Sequence, residues 1–214
     1  MVTKYKLYLF DLDGTLLDSD EMLRVTFHQL YKLYKSPDYI IDDTKIQSFS
    51  GPQITETLTK EFPDQDLNFM LGEWEKYSQP NYLKYTKNYP GVKALFEKMS
   101  RKNILFSIIT NKHRYATDSA LKLMKLDGFD FFSVCADEVK NLKPAPDGIF
   151  KAMEHFGITN KKDVIYIGDS MYDYLTARNA GIDFGYVSWS PRKLDEDSKI
   201  DLLIDDFEKF AEEL

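Results

Sequence analysis

The sequence contains a single cysteine among its 214 residues. One thiol excludes a disulfide framework and a cysteine-rich metal site within one chain. Cys135 ends the apolar run 131–135, which indicates a thiol buried in a hydrophobic core. The first residues lack a charged-then-apolar leader, and no apolar stretch approaches the length of a membrane span. We therefore expect a cytoplasmic protein that does not bind a membrane.

Positive charge is the scarcer sign, because 28 Lys and Arg against 35 Asp and Glu give a formal net charge of −7. This balance argues against a general nucleic-acid-binding surface, although it is compatible with a local basic pocket for a phosphate. Hydrophobic residues make up 43% of the chain, enough for one large domain or a domain with an insertion. The composition therefore predicts a compact protein without a nucleic-acid partner.

An apolar run near the start of the chain ends at two carboxylates, Asp11 and Asp13, followed by Gly14. On a strand, residues two apart point to the same side, and glycine supplies a backbone conformation that other residues resist. Two carboxylates held this close repel each other, so we expect a cation or a shared proton between them. The alternative interpretation is a helix N-cap with an ordinary Asp-Gly turn.

Polar residues end three later segments in a similar way, at 110–112, 143–146 and 168–173. Each of these endings is common by itself, because many parallel strands enter loops through such residues. In an open parallel sheet, ligands bind beyond the carboxyl ends of the strands. The spacing therefore predicts that carboxylates, a hydroxyl and a lysine converge on one crevice.

This ordered set of motifs resembles the haloacid dehalogenase superfamily of phosphohydrolases, in its branch with a helical cap. The four signatures of that superfamily match the segment 11–15, Thr110, Lys143 and the segment 168–173, in the right order. The resemblance spans nearly the whole chain. It implies a Mg²⁺-dependent enzyme that hydrolyses a small phosphorylated metabolite through an aspartyl-phosphate intermediate.

The resemblance also implies a role for each matching residue. Asp11 would be the nucleophile, and Asp13 would protonate the leaving oxygen and later accept a proton from the attacking water. Thr110 would donate a hydroxyl hydrogen bond to the phosphoryl group, with Asn111 as a further phosphate-binding residue. Lys143 would bridge the nucleophile and the phosphate with a fixed positive charge. Asn111 and Lys112 are equally compatible with ordinary loop chemistry, because Asn-Lys after a strand is common.

A magnesium site is implied by the same matches. Asp11, the backbone carbonyl of Asp13 and Asp169 would hold the ion, and Asp173 would support it through a water or a contact behind the ligands. An all-oxygen donor set suits a hard octahedral cation that also contacts substrate phosphate. The alternative interpretation of Asp173 is a helix N-cap.

Strand and helix patterns alternate along most of the chain, which predicts an α/β fold with a Rossmann-like three-layer core and a mainly parallel sheet. This core would comprise residues 1–15 and 88–214. The expected strands lie near 5–11, 104–110, 131–135, 164–168, 184–188 and 202–204. The expected helices lie at 92–102, 115–124, 147–156 and 173–180, with a closing helix that places Phe207, Phe210 and Leu214 on one face.

The segment 16–87 interrupts this alternation and is predicted to form an inserted α-helical cap domain. Apolar and aromatic residues recur at helical spacing in its first part, at Leu23, Phe27, Leu30, Tyr31 and Tyr34. A second long helix is expected at 66–85. We interpret the aromatic stripe as the core of the cap rather than as a platform for a ligand.

The substrate is less well determined by these motifs than the chemistry. The local matches are most like the phosphoglycolate phosphatase group, and they are shared with pyrophosphatases and nucleotidases of the same branch. A sugar-phosphate mutase resembling β-phosphoglucomutase is the main enzymatic alternative. A regulatory binding protein on the same scaffold would be expected to lack one of Asp11, Asp13, Lys143 and Asp169, whereas all four are present.

Overall fold

The computed structural model describes residues 4–129 and 132–214. The chain divides into two compact units, one formed by residues up to Leu17 together with Asn88–Leu214, and the other by Asp18–Lys87. In chain order the strands are β1 Leu7–Phe10, β2 Leu17–Asp18, β3 Lys87–Asn88, β4 Leu105–Ile109, β5 Phe132–Val134, β6 Val164–Gly168, β7 Asp183–Val187 and β8 Leu202–Ile204. The α-helices are α1 Asp20–Tyr34, α2 Asp43–Gln47, α3 Ile54–Glu61, α4 Leu67–Tyr85, α5 Val92–Arg101, α6 Arg114–Leu123, α7 Asp147–His155, α8 Met171–Ala180 and α9 Phe207–Glu213.

The first unit is built on a six-stranded sheet in the order β5-β4-β1-β6-β7-β8. Neighbouring strands in it are parallel, so that Leu7 of β1 lies opposite Leu105 of β4 and Val164 of β6. All four side chains of β1 are fully buried, which explains its unbroken apolar sequence: helices cover both faces of a parallel sheet. The predicted fold class, an α/β core with a mainly parallel sheet, is confirmed.

Alternate residues of β1 enter two different hydrophobic layers. Leu7 and Leu9 belong to a core that also contains residues of α7 and α8. Phe10 faces the other side, where its ring packs edge-on against Phe96 of α5 and Phe207 of α9, at centroid distances of 5.5 and 6.3 Å. The closing helix buries Phe207, Phe210 and Leu214, as its spacing predicts.

The second unit contains α1 to α4 around its own hydrophobic core. Phe27 of α1 is fully buried in this core, with its ring centroid 4.2 Å from that of Phe49 and 5.2 Å from that of Trp74. The aromatic stripe of α1 is therefore core, as predicted. The expected second helix begins one residue later than its pattern suggests, at Leu67, because Asp66 caps it by accepting a hydrogen bond of 2.9 Å from the backbone N–H of Phe69.

Glu61 is an acidic side chain buried in the second unit, 6% exposed and 2.7 Å from Lys45 Nζ. The hydroxyl of Tyr31 also donates to it. Burial raises the pKa of Glu61, but the hydrogen bonds from Lys45 and Tyr31 outweigh burial and hold that pKa below its ordinary value. The carboxylate is therefore a charged part of this core at neutral pH.

Several predicted boundaries differ from those of the structure. The strand expected at 5–11 is the shorter β1, while α8 begins at Met171 rather than at Asp173. The strand expected at 131–135 is observed as β5, and residue 131 lies outside the described residues. Cys135 is a buried free thiol, as predicted. Within the ranges 4–129 and 132–214, no helix is long and apolar enough to cross a membrane.

Candidate active site

The predicted site residues lie at the carboxyl edge of the sheet in the first unit. Asp11 follows β1, Thr110 follows β4 and Asp169 follows β6, so three neighbouring strands end at the same crevice. Lys143 arrives from the loop between β5 and α7, and Asp173 lies in the first turn of α8. The topology therefore brings together groups that are up to 162 residues apart in the chain, from Asp11 to Asp173.

Lys143 is the central cation of this site, with a side chain that is 4% exposed. Its Nζ donates to Asp11 Oδ1 at 2.6 Å, to Asp173 Oδ1 at 2.7 Å and to Tyr166 Oη at 3.1 Å. Burial lowers the pKa of Lys143, but the negative charges of Asp11 and Asp173 raise it well above its ordinary value. The ammonium group is therefore a fixed positive charge beside Asp11.

The surroundings of Asp11, unlike those of Lys143, disfavour the charged form of its side chain. Burial, and then the negative charge of Asp173, raise the pKa of Asp11 well above its ordinary value, although Lys143 opposes the shift. One lysine shared between two buried carboxylates does not compensate both. A further cation near Asp11 would favour the ionised carboxylate that nucleophilic chemistry needs.

Asp173 is fully buried, and five possible donors lie within hydrogen-bonding distance of its two oxygens. Oδ1 accepts from Lys143 and lies 3.1 Å from Tyr166 Oη, which can donate either to it or to the carbonyl of Ile109. Oδ2 accepts from Ser170 Oγ at 2.6 Å and from the backbone N–H groups of Asp169 and Ser170 at 3.2 and 3.1 Å. Because a carboxylate has about four acceptor positions, Asp173 is saturated by protein donors.

Asp173 is not the N-cap of α8, so the helix-cap interpretation of this residue is wrong. Ser170 is the N-cap of α8, and Asp173 is the reciprocal residue that completes a capping box with it. Despite burial, the contacts with Lys143 and Ser170 hold the pKa of Asp173 below its ordinary value. One carboxylate thus serves both the start of the helix and the placement of Lys143.

Asp169 is almost completely buried and faces Arg192, a residue that the motifs do not identify. Its Oδ2 accepts from Arg192 Nη1 at 2.7 Å and from Ser190 Oγ at 2.9 Å, and Thr15 Oγ1 lies 3.5 Å from its Oδ1. Burial raises the pKa of Asp169 to about 6, against the lowering effect of Arg192. Arg192 and Ser190 follow β7 in an ordinary polar loop, so no sequence pattern marks them.

Position 14 requires glycine, because the backbone there lies directly against the carboxylate of Asp169. Its φ is +83°, and a Cβ there would lie 2.2 Å from Asp169 Oδ2 and 2.9 Å from Arg192 Nη1. Any other residue would push the loop after β1 away from Asp169. The glycine of the first motif therefore allows the carboxylates of β1 and β6 to lie side by side.

The donor set fits a hard divalent cation. One carboxylate oxygen from each of Asp11, Asp169 and Asp173 lies within 4.8 Å of the other two in a buried cluster, and those of Asp11 and Asp169 are the candidate ligands because Asp173 is saturated. Carboxylate oxygens are the ligands that Mg²⁺ prefers. The side chain of Asp13 lies outside this three-carboxylate cluster.

Asp13 is instead paired with Lys112. Lys112 Nζ lies 2.7 Å from Oδ1 and 2.6 Å from Oδ2 of Asp13, in a half-buried position. The position of Lys112 after a strand is also typical of an ordinary loop lysine, so the sequence alone does not distinguish it. In the structure, Lys112 contacts both carboxylate oxygens of Asp13, and so fixes the orientation of that carboxylate.

Thr110 and Asn111 are placed differently from each other. Thr110 is buried at the strand end, and its Oγ1 accepts from the backbone N–H of Lys112 at 3.2 Å. Asn111 clamps the backbone of Lys143: its Oδ1 accepts from Lys143 N at 3.0 Å and its Nδ2 donates to Lys143 O at 3.3 Å. The amide of Asn111 is therefore engaged in holding the lysine loop.

Comparison with known proteins identifies the class to which this fold and site belong. The family model of haloacid dehalogenase-like hydrolases matches residues 8–187, and the chain belongs to that family. The pyrophosphatase PpaX of Halalkalibacterium halodurans is 30% identical over 86% of this chain and 84% of its own length. The predicted family and the predicted class of enzyme, a hydrolase of phosphoric esters, are therefore confirmed.

Solved structures share the fold over nearly the full length of the chain. A structure described as a predicted phosphoglycolate phosphatase from Haemophilus somnus superposes with a TM-score of 0.81 at 20% identity, covering 99% of both chains. A haloacid dehalogenase-like family hydrolase from Streptococcus pneumoniae gives a TM-score of 0.78 at 20% identity, again covering 99% of both chains. At this level of identity, the two structures establish the architecture alone.

Proposed function

We propose that the protein is a Mg²⁺-dependent phosphatase that hydrolyses a small phosphorylated metabolite through an aspartyl-phosphate on Asp11. The observation that carries this proposal is the contact of 2.6 Å between the buried Lys143 ammonium and Asp11, within a cluster of three carboxylates. A fixed cation beside a carboxylate at a sheet edge is suited to holding a phosphoryl group against a nucleophile.

In the first half-reaction, a carboxylate oxygen of Asp11 attacks phosphorus, and the bond from phosphorus to the ester oxygen breaks. Asp13 gives its proton to that departing oxygen. In the second half-reaction, Asp13 takes a proton from water, and the water oxygen attacks phosphorus and releases phosphate. Asp11 then regains its carboxylate, and both acids return to their starting states.

Four side chains assist these steps. Lys143 neutralises charge that spreads over the phosphoryl oxygens, and Thr110 directs its hydroxyl at the same oxygens. Lys112 acts as a positioning residue, because it fixes the carboxylate of Asp13 through two short contacts. Asn111 would influence phosphate binding through the lysine loop that it clamps.

Asp11, Asp169 and the backbone carbonyl of Asp13 would hold Mg²⁺, which would supply positive charge to the transferring phosphoryl group. Asp173 would support this arrangement from behind, because its oxygens are already satisfied by protein donors. We assign the segment predicted as a cap, residues 16–87, the role of selecting the substrate, and we place the enzyme in the cytoplasm.

Phosphoglycolate and inorganic pyrophosphate are the two candidate substrates. The local motifs favour a phosphoglycolate-like monoester. Pyrophosphate is favoured by the relative named pyrophosphatase PpaX, which this chain matches at 30% identity over most of both lengths. A sugar-phosphate mutase would use the same two acids of the first motif, so it is separated from a phosphatase only by its products.

The test is release of inorganic phosphate from phosphoglycolate, pyrophosphate, nucleoside monophosphates and both anomers of glucose 1-phosphate, with Mg²⁺ or with EDTA. Native protein is compared with Asp11→Asn and with Asp197→Asn, a matched change at an exposed acid that belongs to none of the motifs. We expect release that needs Mg²⁺ and is lost only in Asp11→Asn. Interconversion of sugar phosphates without release would support the mutase, and no turnover of either kind would contradict the proposal.

A further inference from the structure

Arg192 is a buried arginine that the proposed reaction does not use. It lies in the loop after β7, and its side chain is 7% exposed. Its Nη1 donates to Asp169 Oδ2 at 2.7 Å, and so contacts one of the two carboxylates proposed to bind the metal directly. A guanidinium is always charged, so this contact places a full positive charge at the proposed cation site.

The loop holds Arg192 in place through its backbone. The hydroxyl of Tyr186 donates to the carbonyl of Arg192 at 2.5 Å, and the backbone N–H of Arg192 donates to Ser190 Oγ at 3.1 Å. Ser190 Oγ in turn donates to Asp169 Oδ2 at 2.9 Å. These contacts form a built arrangement aimed at Asp169, unlike the loose pairing of a surface arginine.

Arg192 and Ser190 together occupy the acceptor positions of Asp169 Oδ2. A carboxylate oxygen has two lone pairs, and two donors at 2.7 and 2.9 Å use both. A cation that binds Oδ2 must therefore replace one of these donors. The charged guanidinium is the donor that the cation repels, whereas the neutral serine hydroxyl can rotate.

Space leads to the same conclusion as the count of acceptors. A Cβ on Gly14 would lie 2.9 Å from Arg192 Nη1 and 2.2 Å from Asp169 Oδ2. The guanidinium therefore lies against the loop after β1 as well as against Asp169. A cation that binds Oδ2 from the side of that loop would need the space that Nη1 takes.

We propose that Arg192 is an internal competitor for the divalent cation: it neutralises Asp169 in the metal-free protein, and cation binding displaces its guanidinium from Oδ2. This inference rests on the proposed magnesium site. It means that the protein binds Mg²⁺ more weakly than its carboxylates alone would allow. In exchange, the buried Asp169 is not left without a cation when the metal is absent.

The test measures Mg²⁺ binding by isothermal titration calorimetry and thermal unfolding with and without Mg²⁺, using the full chain. Arg192→Gln removes the competing charge, and Arg192→Lys keeps a charge without the planar fork. Arg178→Gln is the matched control, because Arg178 donates to Asp201 at the same 2.7 Å outside the site. Asp169→Asn removes the carboxylate for which both cations compete.

We expect Arg192→Gln to lower the Kd for Mg²⁺ at least fivefold, and to unfold at a lower temperature than native protein when Mg²⁺ is absent. Arg192→Lys should give a Kd between those of native protein and Arg192→Gln. If Arg192→Gln does not fold, a Kd in Arg192→Lys below the native value carries the test. Arg178→Gln should leave the Kd unchanged. A Kd in Arg192→Gln that equals or exceeds the native value, with binding lost in Asp169→Asn, would contradict the displacement of Arg192 while leaving the magnesium site intact. No Mg²⁺ binding in any of the proteins would overturn the magnesium site as well.

Discussion

Replacement of Tyr166 by phenylalanine tests whether the buried network behind Lys143 stabilises the fold. Tyr166 lies in β6 with no exposed surface, and its Oη accepts from Lys143 Nζ at 3.1 Å. The same hydroxyl lies 3.1 Å from both the carbonyl of Ile109 and Asp173 Oδ1, and it can donate its one proton to only one of them. Burial raises the pKa of Tyr166 well above its ordinary value, so the proton is present at neutral pH.

The expected loss follows from these contacts. Tyr166→Phe keeps the ring and removes one accepted hydrogen bond from a charged donor and one donated bond. Lys143 retains Asp11 and Asp173, so no charge is left unpaired. We expect about 2 kcal/mol of destabilisation, within the range for buried hydrogen bonds that involve charged groups. In a chain of this length, that loss lowers the unfolding temperature by about 4–8 °C.

Thermal unfolding by circular dichroism measures this change, with Tyr115→Phe as the control because Tyr115 is 60% exposed. Phosphate release should fall less than about tenfold, since Lys143 keeps both carboxylate partners. A decrease in unfolding temperature below 1 °C would refute the assignment of Tyr166 as a stabilising partner. A loss of turnover as large as that of Lys143→Met would show that the hydroxyl has a direct role in the reaction.

Three further outcomes are expected. Gly14→Ala should lower stability by about 1–3 kcal/mol and reduce phosphate release, because the new Cβ meets Asp169 at a positive φ; Gly128→Ala, with open space around it, is the control in the same urea titrations. The pKa of Glu61 is lowered in the folded chain, so its carboxylate stabilises the fold at pH values above 4.5, the ordinary pKa, and this stabilisation disappears as the pH falls through the folded pKa. Glu61→Gln should therefore lose less stability than native protein on acidification. An equal loss of stability with falling pH in both proteins would contradict this expectation. Lys112→Met should lower kcat more than tenfold while Lys112→Arg retains most of it, and equal rates in the two variants would count against positioning by charge.

Periodicity predicts the core elements well because the sheet is covered on both faces. β6 and β8 have the predicted bounds, since each is a short apolar run between clear turn signals. The start of α8 lies two residues before the predicted start at Asp173, because Ser170 rather than a later residue caps the helix. A pattern of apolar residues locates a helix, whereas side-chain hydrogen bonds decide where it begins.

The site is predictable where the chain marks it with a motif at or after a strand end. Asp11 and Asp169 directly follow strands, Lys143 lies in a later loop and Asp173 in a helix, and the structure brings all four together. Tyr166 is hidden within an apolar strand, and Arg192 lies in a loop without a pattern. Partners across the sheet become visible only when strand order is known, because no rule of spacing links residue 169 to residue 192.

The inserted helical unit begins and ends at neighbouring points of the chain. β2 and β3 form a two-stranded sheet, and Lys87 Nζ lies 3.5 Å from Asp18 Oδ2. A segment whose two ends lie side by side is a replaceable insertion. Another segment with the same distance between its ends can take its place without changing the strand order. Evolution and protein engineering can therefore exchange these 70 residues, from Asp18 to Lys87, as one piece and present new surfaces from an unchanged sheet.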